Sequence, residues 1–152
     1  IPIVRYRAEI RRNLVPLVAA LLVGSATGVV SAIVVAKLFG GSATLIASVA
    51  PKSVTAPIAM GVAREIGGLP ELTAVLVIAT GITGAVLVTP LMNILRIRDW
   101  RARGFAAGLA AHGIGTARAL QVNPVAGVFA ALAMGLNGLV TAILAPILAR
   151  MI

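Results

Sequence analysis

Two basic side chains, Lys52 and Arg118, lie inside stretches of the sequence that are otherwise apolar. A basic residue near the middle of a membrane costs about 2.5–3.5 kcal/mol on insertion scales, so two would cost about 5–7 kcal/mol. A cost of this size is expected to be offset by a partner or a function. The chemistry that both cations favour is the binding of a small anion, and a carboxylate suits them best.

Hydroxyl and glycine residues accompany both cations. Thr55 and Thr116 are natural N-cap residues for half-helices, whose free N–H groups attract anions, and Ser53 adds a hydroxyl that can orient a bound oxygen. The alternative is that the cations extend to the membrane interface or cap helix ends and bind nothing. The predicted substrate-binding residues are Lys52, Ser53, Thr55, Gly113, Gly115, Thr116 and Arg118.

His112 is the only histidine in the sequence. Its ring can change charge near neutral pH, so it is a candidate for proton coupling, although a lone histidine can equally hydrogen-bond a neighbouring helix. The sequence has no cysteine, no metal-ligand cluster and no catalytic motif. We therefore expect no enzymatic activity, no metal and no cofactor.

The composition is that of a membrane protein. Hydrophobic residues make up 60% of the sequence and charged residues 11%, and the mean hydropathy is +1.08. A net charge of +9 could suggest nucleic acid, but the arginines are concentrated at the ends of apolar runs, which is typical of membrane topology. We expect lipid around the chain and no nucleic-acid partner. The two arginine clusters are Arg5, Arg7, Arg11 and Arg12, and Arg96, Arg98, Arg101 and Arg103.

The apolar runs predict an all-α integral membrane protein with one transmembrane domain over residues 1–152. Three runs, at about 14–38, 72–95 and 125–149, are long enough to cross a hydrocarbon core of about 30 Å. Two more, at about 43–66 and 104–120, are interrupted and predict broken or re-entrant helices. Pro51 and Pro57 break the first, and the Gly113–Gly115 turn breaks the second.

An internal repeat and the arginine clusters together predict an inverted repeat of a transporter-like fold. Both clusters lie inside the cell if the first broken segment re-enters the membrane, because two crossings then separate them. Helix packing could nonetheless hold that segment across the membrane. The repeat rests on three matched positions spaced 54 residues apart: Pro70, Gly81 and Gly84 recur as Pro124, Gly135 and Gly138.

Two stretches of the sequence resemble the LrgB/CidB family. They are the run from Pro51 to Met60, followed by Ile66–Gly68, and the stretch from Arg103 to Ala119, which includes His112-Gly113-Ile114-Gly115-Thr116-Ala117-Arg118. The resemblance implies a multi-pass protein of the bacterial cell (inner) membrane, of which this chain would be the C-terminal two thirds. It also implies a small LrgA/CidA-like membrane partner.

Two functions follow from the resemblance and the residues together. In the first, the protein is a secondary transporter of small monocarboxylates, since plastid relatives export glycolate and glycerate and some bacterial relatives are associated with pyruvate uptake. In the second, it is an antiholin-like regulator of murein hydrolase activity and autolysis. Small-residue patterns at Gly24/Gly28 and Gly104/Gly108 would permit close helix contact within one subunit or in a homo-oligomer.

Overall fold

The computed structural model describes residues 2–149, and in that range the chain forms eight helices and no strand. Side chains are described from Val4 onward. In chain order the helices are α1 (Pro2–Arg5), α2 (Arg7–Arg12), α3 (Leu14–Leu38), α4 (Ala43–Val49), α5 (Ala56–Glu65), α6 (Pro70–Ile94), α7 (Trp100–Val122) and α8 (Pro124–Ala149).

Three of these helices, α3, α6 and α8, are long and apolar enough to cross a membrane. Large apolar side chains on α3 and α6 face outward, among them Val15, Val23 and Val86. Lipid accommodates such surfaces, whereas a water-soluble monomer rarely exposes so much apolar area. The prediction of an all-helical membrane protein with three membrane-length helices is confirmed, and each predicted span begins or ends within two residues of its helix.

Local sequence signals set the helix starts. Pro70 and Pro124 begin α6 and α8, where the missing proline N–H would be unpaired in any case. Asn123 Oδ1 accepts a hydrogen bond of 2.8 Å from the Val125 N–H. Asp99 caps α7 by accepting from the Arg101 N–H at 2.8 Å, and the hydrogen bond from the Arg101 side chain lowers the pKa of the Asp99 carboxyl.

Residues 43–66, which we call the first hairpin, fold back on themselves. α4 ends at Val49 and α5 begins at Ala56. Beyond α5, the Leu69 N–H donates to Ser48 Oγ at 2.8 Å, so the chain returns to the end of α4. An in-line crossing would instead place Leu69 beyond the far end of α5, about 15 Å or more from Ser48.

Residues 100–122, which we call the second hairpin, also fold back, because α7 consists of two helical halves that meet at a kink. The backbone leaves helical geometry at Ala111 (φ −123°, ψ 16°) and His112 (φ 39°, ψ −130°). A Cβ on Gly115 would lie 2.5 Å from the Ala107 carbonyl oxygen, whereas eight residues of a straight helix span about 12 Å. The kink falls at Ala111 and His112, immediately before the predicted Gly113–Gly115 turn. His112 has a positive φ, which residues other than glycine rarely adopt.

The first half of α7 packs closely along α8. A Cβ on Gly104 or Gly108 would collide with the carbonyl oxygens of Ala126 and Ala130. Both pairs are 22 residues apart, so the two helices run in the same direction at this contact. The Gly104/Gly108 pattern is thus used within one chain, where it fixes the second hairpin against α8.

Candidate functional site

The tips of the two hairpins meet at a buried asparagine of α8. Asn137 is 1% exposed, and its Nδ2 donates to the carbonyl oxygens of Ser53 and Leu109, each at 3.0 Å. Ser53 lies in the non-helical tip of the first hairpin, and Leu109 lies just before the kink of the second. One side chain therefore joins segments that are 56 residues apart in the sequence.

The amide oxygen of Asn137 accepts hydrogen bonds from hydroxyl groups on two long helices. Asn137 Oδ1 accepts from Ser25 Oγ of α3 at 2.6 Å and from Thr141 Oγ1 of α8 at 3.1 Å. The orientation of the amide follows from its partners, because the two carbonyls can only accept and must face the NH₂ group. Asn137 thus uses both of its donors and both of its acceptor positions inside the bundle.

A cavity of about 380 Å³ lies beside Asn137, between α3 and the two tips. Its wall carries three hydroxyl groups, an amide and one ammonium group. Small polar ligands are held in such sites by a few convergent polar groups on an apolar wall. The lining residues are Gly24, Ser25, Thr27, Gly28, Lys52, Ser53, Ala106, Leu109, Ala110 and Asn137.

Lys52 is the one ionisable residue in this cavity wall. It is partly buried, and within residues 2–149 its ammonium group makes no hydrogen bond or ion pair. A cation in an apolar setting without a counter-ion attracts an anion strongly, because little water screens the charge. Of the predicted binding residues, the structure brings Lys52 and Ser53 together in this cavity.

Of the two threonines predicted as N-cap residues, Thr55 occupies that position and Thr116 does not. Thr55 occupies the N-cap position of α5 with extended backbone angles, but its side chain makes no capping hydrogen bond. Thr116 lies within α7 and donates to the His112 carbonyl oxygen at 2.7 Å, so it is not an N-cap. The threonine pattern therefore predicted a cap at Thr116 where the structure has a bond to the preceding turn.

The two prolines of the first hairpin occupy different environments. Pro51 is buried in the tip directly after α4, and Pro57 is exposed near the start of α5. Both fall where the chain is leaving or entering a helix, as their missing N–H groups require. Their predicted role as helix breaks fits these positions. Gly113 lies near Met134 of α8, with ordinary van der Waals spacing for an added Cβ.

His112 contacts α6 rather than the cavity. The residue is 4% exposed and its Nε2 lies 3.0 Å from the Val77 carbonyl oxygen, which requires a proton on Nε2. The ring packs against Gly81, where an added Cβ would be 2.7 Å from the His112 Cε1. The interhelical hydrogen bond is the alternative that the sequence left open for this residue. Proton coupling stays a prediction.

Arg118 is separated from the cavity at the tips. It is exposed and lines a cavity of about 20 Å³ near the open end of the second hairpin, with Trp100 and Arg103. The Arg103 guanidinium lies 4.8 Å from the Trp100 ring centroid and donates to Asn93 Oδ1 at 2.7 Å. The structure thus does not bring Arg118 together with Lys52, and the position of Arg118 fits an interfacial cation.

Sequence reasoning missed Asn137, Ser25 and Thr27 as parts of this site. A single asparagine in an apolar helix signals an interhelical hydrogen bond, but not which carbonyls it will meet. The sequence feature that could have pointed to Asn137 is its position between Gly135 and Gly138, two members of the repeat pattern.

Comparison with known proteins identifies relatives over the whole chain. The family model described as the LrgB-like family matches residues 1–151. An uncharacterised protein of Bacillus subtilis, YwbG, is 36% identical over 148 residues, which cover 97% of this chain and 66% of YwbG. The holin-like protein CidB of Staphylococcus aureus is 31% identical over 147 residues, 97% of this chain and 64% of CidB. This chain thus spans about two thirds of the length of these relatives, and no solved structure matches it.

Proposed function

This chain belongs to the LrgB-like family, and we propose that it is a secondary transporter of small monocarboxylates in the bacterial inner membrane. The observation that carries the proposal is the unpaired Lys52 in the wall of a mainly apolar cavity between two hairpin tips. The anion would place its carboxylate on Lys52 and a further oxygen on Ser53. Substrates of the pyruvate, glycolate and glycerate type have the required size and single charge.

The proposed topology is multi-pass, with both hairpins re-entering the membrane as one transmembrane domain. The return of Leu69 to Ser48 supports re-entry of the first hairpin. The cavity shared by Trp100 and Val122 supports the same geometry for the second. Non-helical backbone at membrane depth is tolerated when it is buried in protein or lines a cavity, as at both tips here.

The proposed inverted repeat consists of one hairpin followed by one span. One matched pair of glycines contacts the opposite hairpin in each copy. Gly84 of α6 packs against Ala111 of the second hairpin, and its counterpart Gly138 of α8 packs against Ile58 of the first. Such an exchange of contacts is expected when two inverted units meet at a central site.

Transport would proceed by alternate opening of the two tips around this site. The hairpins enter from opposite sides in the proposed topology, so movement of one tip exposes the cavity to one side only. The cavity is larger than a three-carbon acid and leaves room for water around the bound anion. The residues suggest no bond-making step, and the proposal includes no enzymatic reaction, metal or cofactor.

Uptake of labelled pyruvate and glycolate into cells tests the proposal. Wild type should show saturable uptake above empty cells, and Lys52→Ala should reduce it at least about tenfold, because a charge-assisted contact contributes about 1.5–3 kcal/mol. Arg98→Ala, an exposed cation in the α6–α7 connection, is the control at matched membrane levels. Arg118→Ala distinguishes the two predicted cations and should retain most uptake. Absence of saturable uptake in wild type would overturn the proposal.

The second candidate function is antiholin-like regulation of murein hydrolase activity, exerted together with a small LrgA/CidA-like membrane protein. The name of the relative CidB, a holin-like protein, favours this function more directly than it favours transport. Gly24 and Gly28 are poor candidates for the assembly surface, because they face Leu109 and Ser53 within the chain. Autolysis rates that respond to deletion of the protein but not to Lys52→Ala would support regulation independent of anion binding.

A further inference from the structure

We propose that Asn137 is a positioning residue that locks the two hairpin tips together and so sets the shape of the cavity. Asn137 makes four hydrogen bonds, which reach both tips, α3 and α8. This role rests on the proposed function, since a lock between the tips is the element that alternate opening must release.

The two ends of the amide have separate tasks. The NH₂ group binds only the tips, through the carbonyls of Ser53 and Leu109. The oxygen binds only the long helices, through the hydroxyls of Ser25 and Thr141. A change confined to the NH₂ group should therefore free the tips while α3 and α8 stay packed. That separation distinguishes a lock from a general packing contact.

The position of Asn137 also couples the lock to the cavity. Asn137 lines the cavity together with Lys52 and Ser53, so a ligand held there lies beside the amide. Ser53 belongs to both arrangements, because its backbone carbonyl accepts from Asn137 and its residue lines the cavity wall. Movement of the first tip away from Asn137 would consequently alter the wall that faces the ligand.

Hydrogen–deuterium exchange of the purified protein in lipid nanodiscs tests the lock without requiring transport. The variant Asn137→Asp retains oxygen acceptors for Ser25 and Thr141, but its carboxyl group has at most one O–H donor and cannot hold both tip carbonyls at once. We expect amide exchange in residues 50–55 and 109–116 to rise together by roughly tenfold, because at least one buried hydrogen bond is lost and the two tips are no longer joined. Exchange in residues 20–30 of α3 should remain as in wild type.

The matched control is Asn93→Asp, the same substitution in α6, where the side-chain oxygen accepts from Arg103 and the tips are not touched. It should leave exchange at both tips unchanged. If Asn137→Asp does not insert into the membrane, Asn137→Ser should likewise raise exchange at both tips, since its shorter side chain cannot span both carbonyls. Unchanged exchange, or a rise in only one hairpin, would overturn the lock. A working lock in a protein without uptake would instead count against the transporter alone.

Discussion

Lys52 is the residue on which the account most depends, since it is a cation in an apolar region without a partner in the described structure. Residues that bind a ligand often lower the stability of the folded protein. Lys52→Met should therefore raise the thermal unfolding temperature in detergent by a few degrees while abolishing uptake. A lower unfolding temperature would mean that Lys52 stabilises the fold, as expected for a residue that caps a helix end.

His112 allows its two proposed roles to be separated by one pair of substitutions. His112→Gln retains an N–H that can reach the Val77 carbonyl, whereas His112→Ala loses that bond and should cost about 1–3 kcal/mol of stability. If His112 only positions the tip, His112→Gln should keep the dependence of uptake on a pH gradient. Measurement of uptake with and without an imposed gradient decides between the roles, since loss of that dependence would favour proton coupling.

Sequence reasoning at the residue scale selected Lys52 and Ser53 because a cation in an apolar run is visible without a structure; the two residues line one cavity, and their role in binding stays a prediction. Sequence reasoning gave Arg118 the same weight as Lys52. The depth of Arg118 in the membrane, however, depends on how α7 folds back and not on the apolar run itself. Asn137 was not predicted as a site residue, because its importance comes from two carbonyls that only the tertiary fold brings to it.

At the scale of elements, the contact between α7 and α8 determines where the second tip lies. Gly108→Ala would place a methyl group against the Ala130 carbonyl and should destabilise the protein by about 1–3 kcal/mol. Gly135→Ala in α8 is the matched control, because no atom lies within 4 Å of the added Cβ. Thermal unfolding in detergent compares the two variants. Equal unfolding temperatures would contradict the close packing of α7 on α8.

Element boundaries were predictable where charge and proline set them. The runs free of charge gave α3, α6 and α8 to within two residues, and the prolines gave the interruption between α4 and α5. The interruption of α7 was predicted at the Gly113–Gly115 turn, but the non-helical angles fall on Ala111 and His112 immediately before it, and of the two glycines only Gly115 is closely packed. Glycines in a sequence show where the backbone can kink, whereas tertiary contacts decide where it does kink.

For the whole molecule, the proposed re-entry makes a prediction about sidedness. Two crossings between the arginine clusters place both clusters inside the cell and the start of α6 outside. Since the chain has no cysteine, Glu71→Cys and Arg98→Cys are single reporters for an impermeant thiol reagent. We expect Glu71→Cys to label in intact cells and Arg98→Cys to label only after permeabilisation. Protection of Glu71→Cys in intact cells would contradict the topology.

The most direct test of the central claim is protection of a cysteine in the cavity wall by the proposed ligand. Thr27→Cys places the only thiol of the chain on the α3 side of the cavity. Pyruvate or glycolate should slow its reaction with a thiol reagent in a concentration-dependent manner, and Lys52→Ala should remove this protection. Acetamide, a neutral molecule of similar size, is the control. A labelling rate that carboxylates do not change, or protection that persists without Lys52, would contradict an anion site between the hairpin tips.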